Sequence, residues 1–205
     1  NKHLNYSNVM AILGKLLKNG IKLRKSIEQE KKSPFQLQKK ELLKLLTTAE
    51  HTTFGKTYHF QEIIENIQNS PKASREFYEL YKKHVPTYNY NKIYNQWWHR
   101  AREGEKDVCW KGQIKYFALS SGTSEAASKY IPITKDMIKA IRKTSIRQIL
   151  SLANYPNLPS KLYETGMLML GGSTHLNFNG MYFSGDLSGI TASKIPFWFQ
   201  HFYKP

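Results

Sequence analysis

Apolar residues recur at helical spacing through the first half of the chain and gather into short runs in the second. Val9, Leu13, Leu16, Leu17, Ile21 and Ile27 follow a roughly helical period. This predicts a basic amphipathic helix over about 6–31, weakened at Gly14 and Gly20. The chain restarts at Ser33-Pro34. The serine supplies an N-cap oxygen, the proline suits the first helical position, and Gln36 completes a capping box. The helix opened there runs to about His51, with Leu42, Leu45, Leu46 and Ala49 on one face. Residues 52–56 read as a turn. Short helices follow over 60–67 and 73–83, the second opened by Ser70-Pro71. Pro86 pushes Val85 into extended backbone. A further helix over 91–103 carries Tyr94, Trp97 and Trp98.

From residue 114 the pattern changes. Ile114-Lys115-Tyr116-Phe117-Ala118-Leu119 reads as a buried strand, and 130–133 as a short extended piece. Thr134 caps a long helix over 135–153, buried along Met137, Ile138, Ile141, Ile149 and Leu152. Residues 167–170 read as an interior strand closing on Gly171-Gly172-Ser173, 180–183 as a third strand, and 185–189 as a loop. Helices first, then alternating strands, loops and helices, fit an α/β fold with a helical N-terminal covering. The expected division is a helical region over 1–110, packing on the sheet, and the start of an α/β core over 111–205. The aromatic stretch 196–203 would leave a large apolar patch exposed on a finished monomer. A piece of a longer protein is therefore expected.

Composition narrows the class. The chain has 205 residues, 40% of them hydrophobic and 13% aromatic, enough for a folded core. Its one cysteine, Cys109, excludes an internal disulfide framework and points to a reducing, cytoplasmic setting. The plain reading of Cys109 is a small buried hydrophobe beside Trp110. No apolar run approaches the ~20 residues that span a bilayer, and no signal peptide is recognisable. His51, His59, His84, His99, His175 and His201 lack metal-ligand spacing, so no metal-binding residue is expected. Trp97, Trp98 and Trp110 read as core.

The net charge of +16 raises nucleic acid, anionic membranes and anionic substrates as partners. Residues 1–44 hold eleven Lys and Arg against three Glu, an excess of eight and half of the total. These lysines alternate with leucines at helical spacing, which also describes a solvated helix face. No reader motif for nucleic acid accompanies them.

Candidate chemistry centres on Ser120-Ser121-Gly122-Thr123-Ser124, followed by Lys129. Small side chains at a strand end let backbone N–H groups turn inward, and Gly122 adopts positive φ at little cost. Hydroxyls add donors, and Lys129 can reach a phosphate oxygen as a point charge. The spacing is not that of a Walker A loop, a dinucleotide fingerprint or a nucleophile elbow. The plain alternative is an ordinary loop.

Several segments resemble the auxin-responsive acyl-acid amido synthetases, a branch of the adenylate-forming, firefly luciferase-like superfamily. Thr53-Phe54-Gly55-Lys56 resembles the family's Thr-x-Tyr/Phe-Gly-Lys turn, with Phe60 and Ile63 as its Phe-x-x-Ile. Val85-Pro86-Thr87-Tyr88 resembles its Val-Pro-x-x-x-Tyr entry, with a different tyrosine spacing. Arg102-Glu103-Gly104-Glu105 resembles its Arg-x-x-x-Gly-Glu corner. Residues 117–124 with Lys129, Ile131 and Pro132 resemble its first ATP motif. Ala126, where the family often has glycine, and Glu125 beside the phosphates depart from it.

The resemblance implies part of an adenylate-forming large domain with a mixed β-sheet flanked by helices, the rest of that domain and a C-terminal lid lying beyond residue 205. It implies ATP-dependent ligation: a carboxylic acid is adenylated, pyrophosphate leaves, and an amino acid takes the acyl group. ATP and Mg²⁺ follow as cofactors, and small carboxylic and amino acids as partners. By motif carry-over Ser120, Ser121, Gly122, Thr123, Ser124 and Lys129 hold ATP. Arg142 and Arg147 lie where the family places acyl-substrate contacts, a solvent-facing arginine being the plain alternative. Gly171-Gly172-Ser173 is either a strand-ending turn or an approach to an acyl pocket. The 205-residue piece alone is expected to be inactive. The alternatives are a basic nucleic-acid-binding protein and an acyl-activating enzyme with a thiol acceptor.

Overall fold

In a computed structural model the described residues are 33–69, 76–120, 128–151 and 172–194, with short pieces at 14–15, 19–20, 155, 157, 159, 167–168 and 203–204. The chain divides into two compact units. One comprises Lys31–Thr134 and Asn177–Ser184, the other Asn1–Glu30, Lys135–Leu176 and Gly185–Pro205. The helix expected over 6–31 lies almost wholly outside the described residues. The α/β class with a mixed sheet flanked by helices is the class observed.

The first unit opens with α1 (Pro34–Ala49). Its capping box forms as the sequence predicts. The Gln36 amide donates to Ser33 Oγ at 3.3 Å and the Ser33 amide to Gln36 Oε1 at 2.9 Å. Helix α3 (Phe60–Asn69) buries Phe60, Ile63, Ile64 and Ile67, one stripe at i, i+3, i+4 and i+7. With Leu46 and Ala49 of α1, and Phe77 of α4 (Glu76–His84), this stripe forms an all-apolar cluster.

The segment expected to be a plain turn is a short helix, α2 (Thr53–Thr57). Thr52 is its N-cap and is buried. Thr52 Oγ1 donates to the Ala49 carbonyl at 2.6 Å and accepts from the Gly55 amide at 3.0 Å. Gly55 is the reason two helices can meet so closely. A Cβ there would stand 2.1 Å from the Ala49 oxygen and 2.9 Å from that of Glu50. The Thr53 and Phe54 amides donate to the carbonyls of Asp107 and Val108, both at 2.8 Å, which ties α2 to the loop before the sheet.

Phe54 then works as an aromatic hub. Its ring lies 4.7 Å from Tyr58, 5.1 Å from Trp97 and 5.9 Å from Phe60. It so joins the helical cluster to a second one built from Trp97, Ala101, Val108, Ile114, Phe117 and Tyr182.

The helix expected over 91–103 is three pieces in line: α5 (Tyr90–Ile93), a π turn (Tyr94–Trp98) and α6 (His99–Arg102). A π turn inserts a residue into the helical period. Tyr94 and Arg102 thereby come within hydrogen-bonding distance, the guanidinium Nη1 lying 2.7 Å from the Tyr94 hydroxyl.

The main sheet has strand order β2-β1-β5-β4, with β1 (Tyr116–Ser120), β2 (Lys129–Ile133), β4 (Asn177–Phe178) and β5 (Phe183–Gly185). Strands β1 and β2 pair antiparallel, from Tyr116 opposite Ile133 to Ser120 opposite Lys129. Pro132 sits in β2, an edge strand, where its missing N–H costs no ladder bond. The Phe183 amide donates to the Lys115 carbonyl at 2.9 Å. The single strand expected over 180–183 is in fact a hairpin. Asn179 and Gly180 turn it, with Gly180 at φ +94 and Asn179 Oδ1 accepting from the Met181 and Tyr182 amides.

The second unit holds α7 (Lys135–Ser151), the parallel pair β3 (Met167–Leu168) and β6 (Tyr203–Lys204), and α8 (Leu187–Ala192). Residues 185–189, expected as loop, enter α8 with Asp186 as N-cap. Only 167–168 of the strand expected over 167–170 are described. Two glycine-bearing segments pack together. The Gly172 amide donates to Ser188 Oγ at 2.8 Å, and a Cβ on Gly189 would stand 2.0 Å from the Ser173 carbonyl oxygen.

Gly55 gives a direct test. Gly55→Ala should destabilise the protein by about 3 kcal/mol, since the added methyl meets backbone rather than a movable side chain. Urea unfolding measures it, and a loss below about 0.5 kcal/mol would contradict the close approach of α1 and α2.

Candidate functional site

The hairpin of β1 and β2 fixes the candidate site. Strand β1 is enclosed on both faces, by Phe117 on one and Ala118 on the other, and β2 is anchored by Ile133. A one-residue slip of β2 would carry Ile133 out of its enclosed position, and this specifies the register. It places Ser120, the last residue of β1, opposite Lys129, the first of β2. Residues 121–128 connect the two. Ser120, expected as the first loop residue after a strand over 114–119, is the last residue of β1 and is half-buried. Ser121, Gly122, Thr123 and Ser124, like Glu125 and Ala126, lie outside the described residues.

Lys129 is exposed, and its Nζ lies 5.3 Å from the centroid of the Tyr90 ring. The Tyr90 hydroxyl accepts from the Tyr130 amide at 2.9 Å. The helical layer therefore touches the start of β2 at two adjacent residues.

A cation stands beside them. Arg102, half-buried at the end of α6, places its guanidinium 3.7 Å from the centroid of the Tyr130 ring. Its Nε donates to the Tyr182 hydroxyl and its Nη1 to the Tyr94 hydroxyl, both at 2.7 Å. Among the described residues Arg102 pairs with no carboxylate. Burial works against its charge, but the two tyrosine hydroxyls outweigh this and move its pKa upward. Sequence reading did not find this group. Its partners lie 8 and 80 residues away, and no local pattern announces such pairs.

The neighbouring arginine behaves differently. Arg100 Nε donates to Glu105 Oε2 at 2.8 Å, and Nη2 to Oε1. The Arg-x-x-x-Gly-Glu corner read at 102–105 is thus closed by Arg100, four residues before Gly104, while Arg102 faces the tyrosines. The Arg100 guanidinium draws the Glu105 carboxyl below its ordinary range.

Arg142 and Arg147 are exposed on α7, in the second unit. Arg142 Nη2 donates to the Lys194 carbonyl at 2.7 Å.

Two cavities of about 150 and 240 Å³ in the first unit share Trp98, Cys109 and Trp110 as lining. Neither is lined by Ser120 or Lys129. Cys109 is a half-buried free thiol whose pKa burial pushes up to about 12, against a smaller downward pull from Arg100. Among the described residues no three His, Cys, Asp or Glu side chains gather as a metal would need. Nor is any described helix long and apolar enough to cross a membrane.

An α/β sheet flanked by helices, with a hydroxyl-rich connection at a strand end, is the architecture of part of an adenylate-forming domain. The family model described as GH3 family N-terminal domain matches residues 23–205. The chain therefore belongs to the GH3 family, the auxin-responsive acyl-acid amido synthetases of the adenylate-forming superfamily. Members of this family are ligases that act on carboxylic acids and amino acids. No curated protein matches the chain.

Cys109 gives a test of the packing between the two clusters. At pH 8 a thiol with a pKa of about 12 is ionised in roughly one molecule in ten thousand, against about a quarter for an unperturbed cysteine. Iodoacetamide should alkylate it at least about a hundredfold more slowly in the native protein than in urea. Comparable rates would show that Cys109 is open to solvent.

Proposed function

We propose that this chain carries the ATP-handling part of an enzyme that adenylates a small carboxylic acid and passes the acyl group to an amino acid. The observation that best supports this is one coincidence. The family match over 23–205 includes a hairpin whose closing pair is Ser120 and Lys129. In this reaction a carboxylate oxygen attacks the α-phosphorus of ATP. The bond from that phosphorus to the bridging oxygen breaks, and pyrophosphate leaves with the electron pair. The amine nitrogen of the amino acid then attacks the acyl carbon. The acyl–oxygen bond breaks, AMP departs, and the amine proton passes to solvent.

Ser120, Ser121, Gly122, Thr123 and Ser124 are assigned to the β- and γ-phosphates, through amides and hydroxyls. Lys129 is assigned to a phosphate oxygen. Such groups act by position and fixed charge rather than by proton transfer, and no general base is assigned. Arg142 and Arg147 are assigned to the acid, whose carboxylate suits a guanidinium fork. Mg²⁺ would accompany the triphosphate, keeping several waters and taking phosphate oxygens as ligands, and it would neutralise charge that the protein donors do not reach. On this reading residues 111–205 begin the nucleotide-binding core and 1–110 cover it. A cytoplasmic setting suits a reaction that consumes ATP and amino acids.

Pyrophosphate release by the complete protein, screened over aryl and fatty acids with each amino acid, tests the reading. Release should require an acid, and an amide should accumulate. Lys129→Met should raise KM for ATP about tenfold, the size of one charge-assisted hydrogen bond, while KM for the acid stays within about twofold. Acid-independent release, or none with any acid, would sink the assignment.

A further inference from the structure

We infer that Arg102 is a positioning residue for the Ser120–Lys129 pair, acting through the ring of Tyr130. This rests on the proposed ATP role of that pair. Arg102 does not reach the hairpin's closing pair itself. It touches Tyr130, the residue after Lys129, with its guanidinium 3.7 Å from the ring centroid. Its other nitrogens hold it in place from two directions, through Tyr94 in the π turn and Tyr182 beside β5. Tyr90 adds the second hold, taking the Tyr130 amide on its hydroxyl and carrying the Lys129 ammonium over its ring.

Three observations separate this from ordinary packing. First, β2 is an edge strand. Its first residues are bonded to β1 on one side only, and on the other the Tyr130 amide is taken by the Tyr90 hydroxyl. Second, Arg102 makes no ion pair among the described residues, whereas Arg100, two residues earlier, takes Glu105 bidentately. The charge of Arg102 is directed to tyrosines instead. Third, its three tyrosines come from the π turn, β2 and the turn between β4 and β5. One cation therefore ties the helical layer and that turn to the end of the hairpin where Lys129 sits. A guanidinium suits this task because it donates in its plane while its face rests on a ring. An ammonium lacks the flat fork that fixes two donors in a plane while the face covers a ring.

The test compares Arg102→Met, Arg102→Lys, Tyr130→Leu and Tyr130→Phe in the complete protein. Arg102→Met and Tyr130→Leu should each raise KM for ATP about tenfold, with KM for the acid unchanged. Tyr130→Phe keeps the ring and should match the parent. Arg102→Lys should fall between. Because both groups act on one contact, the double variant Arg102→Met/Tyr130→Leu should be no worse than either single one. KM for ATP and for the acid rising together, in step with a fall in Tm, would reduce Arg102 to scaffold and overturn the inference. So would full additivity, or an unchanged KM for ATP in Arg102→Met. A parent protein that does not use ATP would overturn the functional reading instead. Hydrogen exchange would then decide for Arg102 alone. The Tyr130 amide should exchange at least tenfold faster in Arg102→Met, with the Ile63 and Ile67 amides unchanged. Equal exchange at Tyr130 would end the proposal.

Discussion

The antiparallel register of β1 against β2 is the constraint on which the candidate site depends. It is set by Phe117, Ala118 and Ile133, which are buried almost completely and lie two to four residues from the closing pair. Side chains alternate along a strand, so enclosing Ile133 at one end of the pair fixes what stands at the other. Ser120 faces Lys129 for that reason and not because either attracts the other. A hydroxyl and an ammonium are thereby delivered to the two ends of one connection by hydrophobic burial alone.

The helical layer supplies what the sheet cannot. Helix α2 is short, and its stability lies in its contacts. Thr52 satisfies a buried donor and an acceptor at once, and Gly55 removes the one methyl that would separate α1 from α2. Phe54 is then held where its ring meets Tyr58, Trp97 and Phe60. Beyond it Tyr58 and Tyr88 share a short hydroxyl contact, and Trp97 donates to the same Tyr88 oxygen. Burial, with the Tyr88 hydrogen bond, pushes the Tyr58 pKa up to about 12, so the Tyr58 hydroxyl keeps its proton across the physiological range. The segment from Thr52 to Lys56 is thus a structural joint, which explains why hydroxyl, aromatic and small residues occur there in that order.

What the sequence disclosed follows the range of the forces involved. Helix α1 was legible because a capping box is complete within four residues, Ser33 to Gln36. Helix α3 was legible because its stripe repeats within one element. The strand before the serine loop was legible from a short apolar run ending in small residues. The hairpin at Asn179-Gly180 was also legible in principle, since that dipeptide is a strong turn signal. Reading 180–183 as one strand passed over it. The π turn at Tyr94–Trp98 was not legible, because its apolar spacing differs by one residue from an ordinary helix. The tyrosine cage of Arg102 was hidden for a different reason. It joins residues 80 positions apart, and nothing near Arg102 in sequence distinguishes it from Arg100, whose glutamate partner is only five residues away.

Magnitudes decide how Lys129 would behave on the proposed reading. Over the Tyr90 ring, exposed to solvent, its ammonium gains about 0.5–1 kcal/mol. A hydrogen bond to a charged group contributes roughly 1.5–3 kcal/mol. An anion arriving at the end of the hairpin therefore outcompetes the ring, and the ammonium, which pairs with no carboxylate among the described residues, transfers to it. Had Lys129 been held by a carboxylate, the incoming phosphate would first have had to displace a like charge. Tyr90 keeps the side chain extended beside the hairpin and leaves its charge available. The same reasoning explains why Arg102 is bonded to neutral hydroxyls. A carboxylate at that place would put negative charge next to Lys129 and oppose the anion, whereas tyrosines fix the geometry and leave the local field positive.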